Sequence, residues 1–166
     1  MNYIITLFAL ITALQCQQND VASQILMATA TMEEAWNNDQ KIKIAEAYTD
    51  DSYVISTRGI EAQGREQINA YWRDFIGKPV EWKLSNYLIS EDLEKIYQDD
   101  RWKARKKHMP HWSDHNVELP EKPVYQYGQS MLVWERGSEM ITSTVEFLLI
   151  WQHTPKGWKI FLDAYN

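Results

Sequence analysis

Two carboxylates stand in otherwise apolar segments near the end of the chain, Glu146 within STVEFLLIW and Asp163 within KIFLDAYN. A carboxyl group removed from water has a raised pKa and can act as a general acid or base near neutral pH. Asp163 and Glu146 are therefore the candidate catalytic residues. In the structural alternatives, Asp163 accepts hydrogen bonds from the backbone or from Arg65, and Glu146 lies on a solvated or dimeric face.

The turn between the last two strands predicts how these carboxylates are oriented. A three-residue turn at 155–157 sets Leu149 opposite Asp163. The same register sets Glu146 opposite Asn166. Because side chains alternate between the faces of a sheet, this register directs the two carboxylates to opposite faces, and a slip of one residue would reverse the arrangement.

Three histidines, His108, His111 and His115, lie in the segment HMPHWSDH. Imidazole is a good ligand for zinc and related metals. Pro110 interrupts any continuous helix that would present these residues together. Histidines in a loop are usually solvated, so the three are weak metal candidates, and the sequence predicts neither a metal site nor a cofactor.

The chain contains eight Trp and nine Tyr among 166 residues. Aromatic side chains form the walls of many ligand pockets, although protein cores use them too. We take Trp72, Tyr127, Tyr48 and Tyr53 as candidate pocket residues, together with Asp163. Trp72 and Tyr127 are the preferred pair.

Helices in the first half of the chain and strands in the second must position these residues. Apolar residues recur every three or four positions in the first half and every second position after Pro79. No βαβ alternation occurs, so the order predicts an α+β fold with an antiparallel sheet. The pattern predicts helices over 21–36, 42–48 and 64–75, and strands from 53, from 80, over 125–134, over 140–151 and over 158–165.

The segment from about 91 to 123 interrupts the strands as an insertion. It is acidic at its start, becomes basic near Lys106 and ends in a proline-containing loop. A structureless segment of this length is unusual inside a domain. We therefore expect a helix over about 93–106, and a solvated charged face rather than a nucleic-acid site.

The overall composition describes one globular domain. The chain is 45% hydrophobic and 24% charged, which excludes collagen-like and low-complexity classes. Its length fits a single hydrophobic core. The formal net charge of −6 argues against nucleic acid or an anionic membrane surface as the main partner.

The amino-terminal segment carries a candidate export signal. Residues 4–14 are predominantly apolar but too few to span a bilayer as a helix. Their length matches the apolar part of a signal peptide, here over 1–15. The lone Cys16 follows, at the place of the lipidated cysteine of bacterial lipoproteins, so we expect a lipid-anchored envelope protein with one domain over 16–166. The alternatives are a soluble periplasmic or secreted protein and an uncleaved cytoplasmic one.

Two segments resemble the SnoaL-like proteins of the nuclear transport factor two-like, or ketosteroid-isomerase-like, superfamily. In the first, IAEAYTDDSYVISTRGIEAQGREQINAYWRDF, a Tyr-x-Asp-Asp turn precedes a strand and Gly-Arg-Glu opens a helix. The second is the closing segment GWKIFLDAYN. The resemblance covers about 21–90 and 124–166. It implies a cone-shaped, curved antiparallel sheet wrapped around about three helices, with an apolar cavity at the wide end.

The resemblance allows the isomerase chemistry of that superfamily to be compared with this chain residue by residue. That chemistry needs a carboxylate base and an oxyanion hole formed by a Tyr and a protonated acid. Here Ser56 stands at the place of the base, Thr31 at that of the tyrosine, and Leu149 near that of the acid. A serine hydroxyl needs an activating partner to act as a base. The isomerase mechanism is therefore disfavoured.

The resulting hypothesis is an envelope-associated domain that binds a small apolar or amphipathic molecule in an apolar pocket. One alternative is an acid–base enzyme of the isomerase, dehydratase or cyclase type that uses a pocket carboxylate. Another is a protein-interaction module that uses the insertion. The resemblance implies a homodimer formed through the outer face of the sheet. The membrane contact we expect is the lipid anchor alone.

Overall fold

The computed structural model describes residues 21–166. The predicted signal peptide over 1–15 and the predicted lipidation site Cys16 lie outside the described residues. Within 21–166, no helix is long and apolar enough to cross a membrane.

Helices dominate the first part of the described chain, as its apolar periodicity predicts. The first helix, α1, covers 21–37. The second helix ends at Ala45, earlier than expected, and Tyr48 already belongs to a strand. The remaining helical elements are α2 (Lys41–Ala45), α3 (Gly64–Arg73), α4 (Leu93–Gln98), α5 (Asp100–Arg105) and two 3-10 turns at Lys106–His108 and Trp112–His115.

Six strands form one open sheet, which confirms the α+β class predicted from the sequence. They are β1 (Tyr48–Ser56), β2 (Gly59–Gln63), β3 (Lys78–Ser90), β4 (Val124–Arg136), β5 (Glu139–Thr154) and β6 (Gly157–Tyr165). Their order across the sheet is β2-β1-β6-β5-β4-β3. β1 and β6 run parallel, so the sheet is mixed and not purely antiparallel. These two strands are distant in sequence, and no hairpin dictates their relative direction.

The sequence pattern did not predict the short strand β2. It follows β1 through a tight hairpin in which Ser56 pairs with Gly59. Gly59 has a φ of +115°, which suits glycine. Five residues give too little alternation to reveal a strand by periodicity alone.

Both faces of the sheet are covered, by different parts of the chain. On one face, called here the cavity face, the first three helices pack over the sheet and Trp36, Ile44 and Ile68 are fully buried. On the other, called the insertion face, the segment 91–123 packs over the sheet and buries Trp102. The domain therefore has two cores that share one sheet.

The insertion is a folded cover rather than a loop. Asp92 and Asp99 cap α4 and α5, each accepting a hydrogen bond from a backbone N–H two residues further on. Asp99 is extended, with φ −64° and ψ 132°, and divides the single helix predicted over 93–106 into two. The insertion covers part of the outer sheet face through which a homodimer was predicted to form. Dimerisation itself stays a prediction.

The register of β5 and β6 places Asp163 on the cavity face. Their turn has two residues and not three, because Thr154 pairs with Gly157. A β-bulge at Phe161 then shifts the pairing by one residue, so that Leu149 faces Asp163 as predicted. Bulges commonly redirect side chains in this way. The predicted pairing is confirmed, although a shorter turn and a bulge produce it.

Candidate functional site

A cavity of about 190 Å³ lies between the helices and the cavity face of the sheet. Trp72 and Asp163, two of the residues chosen from the sequence, line it. Asp163 is the one charged residue among the described residues that do so. Seven of the fifteen lining residues are aromatic: Tyr71, Trp72, Phe75, Trp82, Trp134, Phe147 and Tyr165.

Asp163 accepts a hydrogen bond from the Tyr48 hydroxyl, with 2.8 Å between the two oxygens. Burial raises the pKa of Asp163 from 3.8 to about 6, and the hydrogen bond from Tyr48 opposes that rise. Burial, together with the nearby Asp163 carboxylate, holds the pKa of Tyr48 well above 10.0. The phenol therefore stays protonated and donates, beside a carboxylate that is ionised at neutral pH but close to titration.

The cavity contains further polar atoms on its aromatic side chains. The Tyr71 and Tyr165 hydroxyls lie 3.1 Å apart, and Trp82 Nε1 donates to Ser130 Oγ at 2.8 Å. Trp72 Nε1 is buried and makes no hydrogen bond of ordinary geometry with the described residues, although it lies near enough to the Tyr48 hydroxyl to oppose the rise of the Tyr48 pKa. The Trp72 ring lines the cavity, whereas Tyr48, the polar group with which its N–H interacts, does not.

Arg65 holds the start of β1 and thereby positions Tyr48. Its guanidinium donates to Asp50 Oδ1 at 2.9 Å and to the backbone carbonyl oxygens of Ala45 and Tyr48. The structural alternative in which Arg65 pairs with Asp163 is therefore incorrect. The guanidinium is directed to the junction of α2 and β1, where it donates to two backbone carbonyl oxygens.

The loop after α3 forms one wall of the cavity. The Phe75 and Trp134 rings pack edge to face with 5.4 Å between their centroids. The Lys41 ammonium donates to the carbonyl oxygens of Phe75 and Gly77 at 3.0 and 2.9 Å. Gly77 has a φ of +133°, and a Cβ there would collide with the Trp134 ring, so glycine is required. The loop is thus held against the aromatic wall.

A larger cleft of about 630 Å³ lies at the junction of α2, β1 and β6 and is open to solvent. Its charged groups are accessible: Asp50 pairs with Arg65 while 91% of the Asp50 side chain is exposed. Exposed charges are screened by water and salt and bind ligands weakly. The smaller aromatic cavity is therefore the better candidate site, because it encloses a carboxylate.

Tyr127, Tyr53 and Tyr48 do not line the cavity, contrary to the expectation from the sequence. Tyr127 and Tyr53 lie on the insertion face, and Tyr48 lines the larger open cleft. Tyr127 is fully buried between the rings of Tyr87 and Trp102, with centroids 5.4 and 5.3 Å away. Tyr53 packs on Phe161. When both faces of a sheet are covered, apolar residues occupy both, and composition does not separate the two sets.

Glu146 lies on the insertion face, which confirms its predicted orientation opposite to Asp163. Its backbone N–H donates to Asn166 Oδ1 at 2.9 Å. Its carboxylate lies 3.6 Å from Arg105 Nε, and its Oε2 atom is buried without a partner among the described residues. Burial and the nearby Glu146 raise the pKa of Tyr127. Glu146 is thus enclosed beneath the insertion and does not reach the cavity.

Of the residues at the isomerase positions, Leu149 lines the cavity, whereas Ser56 and Thr31 do not. The Ser56 hydroxyl donates to Glu61 Oε1 at 2.5 Å, and the exposed Thr31 donates to the backbone carbonyl of Met27. Glu61 reaches Ser56 across the β1–β2 hairpin, which the sequence did not reveal. None of the three isomerase positions presents a base to the cavity.

The three candidate histidines do not converge. His111 stacks on Trp112 with 4.1 Å between ring centroids, and its Nε2 lies 3.3 Å from the Tyr97 hydroxyl. Within residues 21–166, no group of three His, Cys, Asp or Glu side chains is arranged to hold a metal ion. His111 therefore packs the insertion together, and His108 and His115 do not join it.

Comparison with solved structures identifies the fold. An NTF-2 like protein of unknown function from Shewanella oneidensis is similar, with a TM-score of 0.57 over 86% of this chain and 97% of its own, at 18% identity. An NTF2-like superfamily protein from Salmonella enterica gives a TM-score of 0.59 over 90% and 92%, at 12% identity. The fold is that of the nuclear transport factor 2-like proteins. An NTF2-like protein with a cystatin-like fold, from Novosphingobium aromaticivorans, gives 0.54 over 91% and 84%, at 11% identity.

The NTF2-like fold agrees with the resemblance seen in the sequence. No protein-family model matches the chain, and no curated protein matches it. At these identities the structural likeness concerns the fold alone, because one fold hosts many chemistries. The function must therefore be argued from the cavity of this chain.

Proposed function

We propose that this NTF2-like domain binds a small, mainly apolar molecule in the cavity beside Asp163. The supporting observation is that the Asp163 carboxylate, which accepts a side-chain hydrogen bond from Tyr48 alone among the described residues, stands in a mainly aromatic and aliphatic cavity. Protein cores seldom leave buried polar groups incompletely paired. A ligand that pairs with Asp163 would also cover the aromatic surface.

The size of the cavity limits the ligand. Pockets for drug-sized ligands have volumes of roughly 300–1,000 Å³, whereas this cavity measures about 190 Å³. The ligand is therefore compact, such as a single ring system or a short branched chain. Contact with the aromatic walls provides most of the affinity, and the polar groups fix the orientation of the ligand.

Two neighbouring residues of β5 provide a matched test. Val145 lines the cavity, whereas Thr144 is exposed on the opposite face. Val145→Phe fills the cavity, and Thr144→Phe adds the same ring outside it. With 2-naphthol as the probe and saturation-transfer NMR as the measurement, we expect binding by the wild type and Thr144→Phe but not by folded Val145→Phe. Equal binding by all three proteins, or none by the wild type, would overturn the proposal.

A second candidate function, acid–base catalysis, is favoured by the titration of Asp163. Its pKa of about 6 lies close to neutral pH, where a general base is most effective. Cyclohexanone is a suitable probe, because exchange of its α-hydrogens with heavy water requires a base. Exchange accelerated by the wild type and not by Asp163→Asn would support catalysis. Equal rates with both proteins would argue against proton abstraction by Asp163.

We also propose envelope placement through Cys16, on the sequence of the amino-terminal segment alone. The apolar run over 4–14 followed by Cys16 supports it. In a bacterial host, a palmitate analogue should label the wild type and not Cys16→Ser. If Cys16→Ser has the mass and the membrane partition expected from the wild type, the proposal of a lipid anchor at Cys16 is wrong.

A further inference from the structure

The cavity holds a carboxylate without a compensating cation among the described residues that line it. Buried carboxylates in proteins are usually paired with a cation. Asp163 instead receives a hydrogen bond from the neutral Tyr48 hydroxyl. Lys41 lies close to the wall, with its ammonium 5.8 Å from the centroid of the Phe75 ring, but it donates to the backbone carbonyls of Phe75 and Gly77. The Lys41 ammonium therefore binds the loop after α3 and does not pair with Asp163.

The walls around the carboxylate are aromatic rings packed close together. Ring centroids lie 5.5 Å apart for Trp72 and Trp82, and 5.4 Å apart for Tyr71 and Trp72. The face of an aromatic ring carries partial negative charge and attracts a cation that approaches within about 6 Å of its centroid, most strongly for Trp. Carboxylate and rings therefore favour the same sign of charge in a ligand.

We infer that the cavity selects a compact organic ammonium ion, such as a short alkylamine or a quaternary ammonium compound. This inference deepens the proposed function and rests on it. The ligand nitrogen supplies the positive charge that Asp163 lacks, and the faces of Trp72 and Trp82 stabilise the same charge. The alkyl groups cover the aliphatic lining. A neutral molecule of the same shape leaves the carboxylate unpaired, and an anionic one is repelled.

The ionisation of Asp163 makes this selection depend on pH. Tyr48, Tyr71 and Tyr165 are titratable groups near it, and burial raises the pKa of each, so that all three are neutral near pH 7. Glu61 acts electrostatically on Tyr71 and Tyr165 and forms an ion pair with Arg58, which also interacts with Tyr165 but has a side chain that is 78% exposed. With a pKa of about 6, Asp163 is ionised at pH 7.5 and mostly protonated at pH 5.

A charged ligand and its neutral isostere test the inference. Choline and 3,3-dimethyl-1-butanol have the same shape and differ in one atom, nitrogen against carbon, and in charge. By isothermal titration calorimetry at pH 7.5, we expect the wild type to bind choline about tenfold more tightly or better. Asp163→Asn should abolish this preference, whereas Glu146→Gln, which removes the carboxylate of the insertion face, should keep it. If Asp163→Asn does not fold, the wild type at pH 5 provides the same comparison.

The outcomes separate this inference from the proposed function. If 2-naphthol binds but choline binds no more tightly than 3,3-dimethyl-1-butanol, the selection of cations is wrong and the ligand cavity stands. A preference for choline that survives Asp163→Asn, or that is unchanged at pH 5, also overturns the inference. If neither compound nor 2-naphthol binds, both proposals fail. Preference for choline that is lost in Asp163→Asn and at pH 5 supports both.

Discussion

The two faces of the sheet each place a tyrosine near a carboxylate, with different results. On the cavity face, the Tyr48 hydroxyl donates to Asp163, and the carboxylate lines an open space of about 190 Å³. On the insertion face, Glu146 lies near Tyr127, only 11% of its side chain is exposed, and the Arg105 guanidinium approaches to 3.6 Å. Similar residue types thus occupy opposite sides of one sheet.

The two carboxylates differ because different segments cover the two faces, and the covering segment decides whether a ligand has room beside the carboxylate. The insertion packs Trp102 against Tyr127, with 5.3 Å between ring centroids, and closes the space above Glu146. The helices on the cavity face leave a cavity in front of Asp163. A buried carboxylate is a candidate functional group where the fold leaves such room, and a structural one where packing and a cation enclose it.

Truncating one tryptophan on each face gives the largest expected effect and separates the two faces by function. Trp72 lines the cavity, and Trp102 belongs to the insertion. Each Trp→Ala variant should lose about 3–5 kcal/mol of unfolding free energy, measured with urea, because a large buried ring is removed. Trp72→Ala alone should weaken binding of 2-naphthol. If Trp102→Ala weakened the binding of 2-naphthol equally, the two faces would be coupled and would not differ in function.

Asp163 should produce the next largest effect, a pH dependence of stability. Its folded-state pKa of about 6 lies above the ordinary value of 3.8. The folded state therefore holds this proton more tightly, and stability falls as pH rises from about 4 to 6, by roughly 2–3 kcal/mol that is not regained at higher pH.

Urea unfolding at several pH values measures this decline. Asp163→Asn should remove it and be the more stable protein at pH 7, whereas Glu146→Gln should retain it. Parallel stability curves for the wild type and Asp163→Asn would contradict the raised pKa of Asp163.

The ion pair on the insertion face should contribute less. The Arg105 side chain is 60% exposed, so solvent screens its interaction with Glu146. Arg105→Met should lower the unfolding free energy by about 1 kcal/mol or less. In the Glu146→Gln background the same substitution should cost less still, as a double-mutant cycle would show. A change in 2-naphthol binding in either variant would argue against the separation of the faces.

The smallest expected effect is that of added zinc. The three candidate histidines do not converge, and the His111 ring is occupied by Trp112 and Tyr97. Zinc should therefore leave the melting temperature unchanged, because a metal stabilises a protein only by binding its folded state more tightly than its unfolded state. A zinc-dependent rise that disappears in His111→Ala would establish a metal site on the insertion face.

Some of the residues that line the cavity could be predicted from the sequence. Trp72 lies on a periodic helix, and Tyr165 could have been added, since it follows Asp163 by two residues and alternation places both on one face. Trp82 shows the same alternation within β3. Tyr71 and Phe75 share by their spacing the predicted helix face of Trp72, but that this face lines a cavity depends on how α3 docks on the sheet.

The sequence alone determined the order of the main helices and strands, because local periodicity holds along each segment whatever it later packs against. The opposite orientation of Glu146 and Asp163 was predicted from a three-residue turn, but the structure reaches it through a two-residue turn and the bulge at Phe161, which periodicity does not reveal. Only the tertiary structure decided which face carries the cavity. A period-two pattern is the same for both faces of a sheet, so their difference arises from long-range packing: the insertion over 91–123 fills one side, and the helices before β3 leave space on the other.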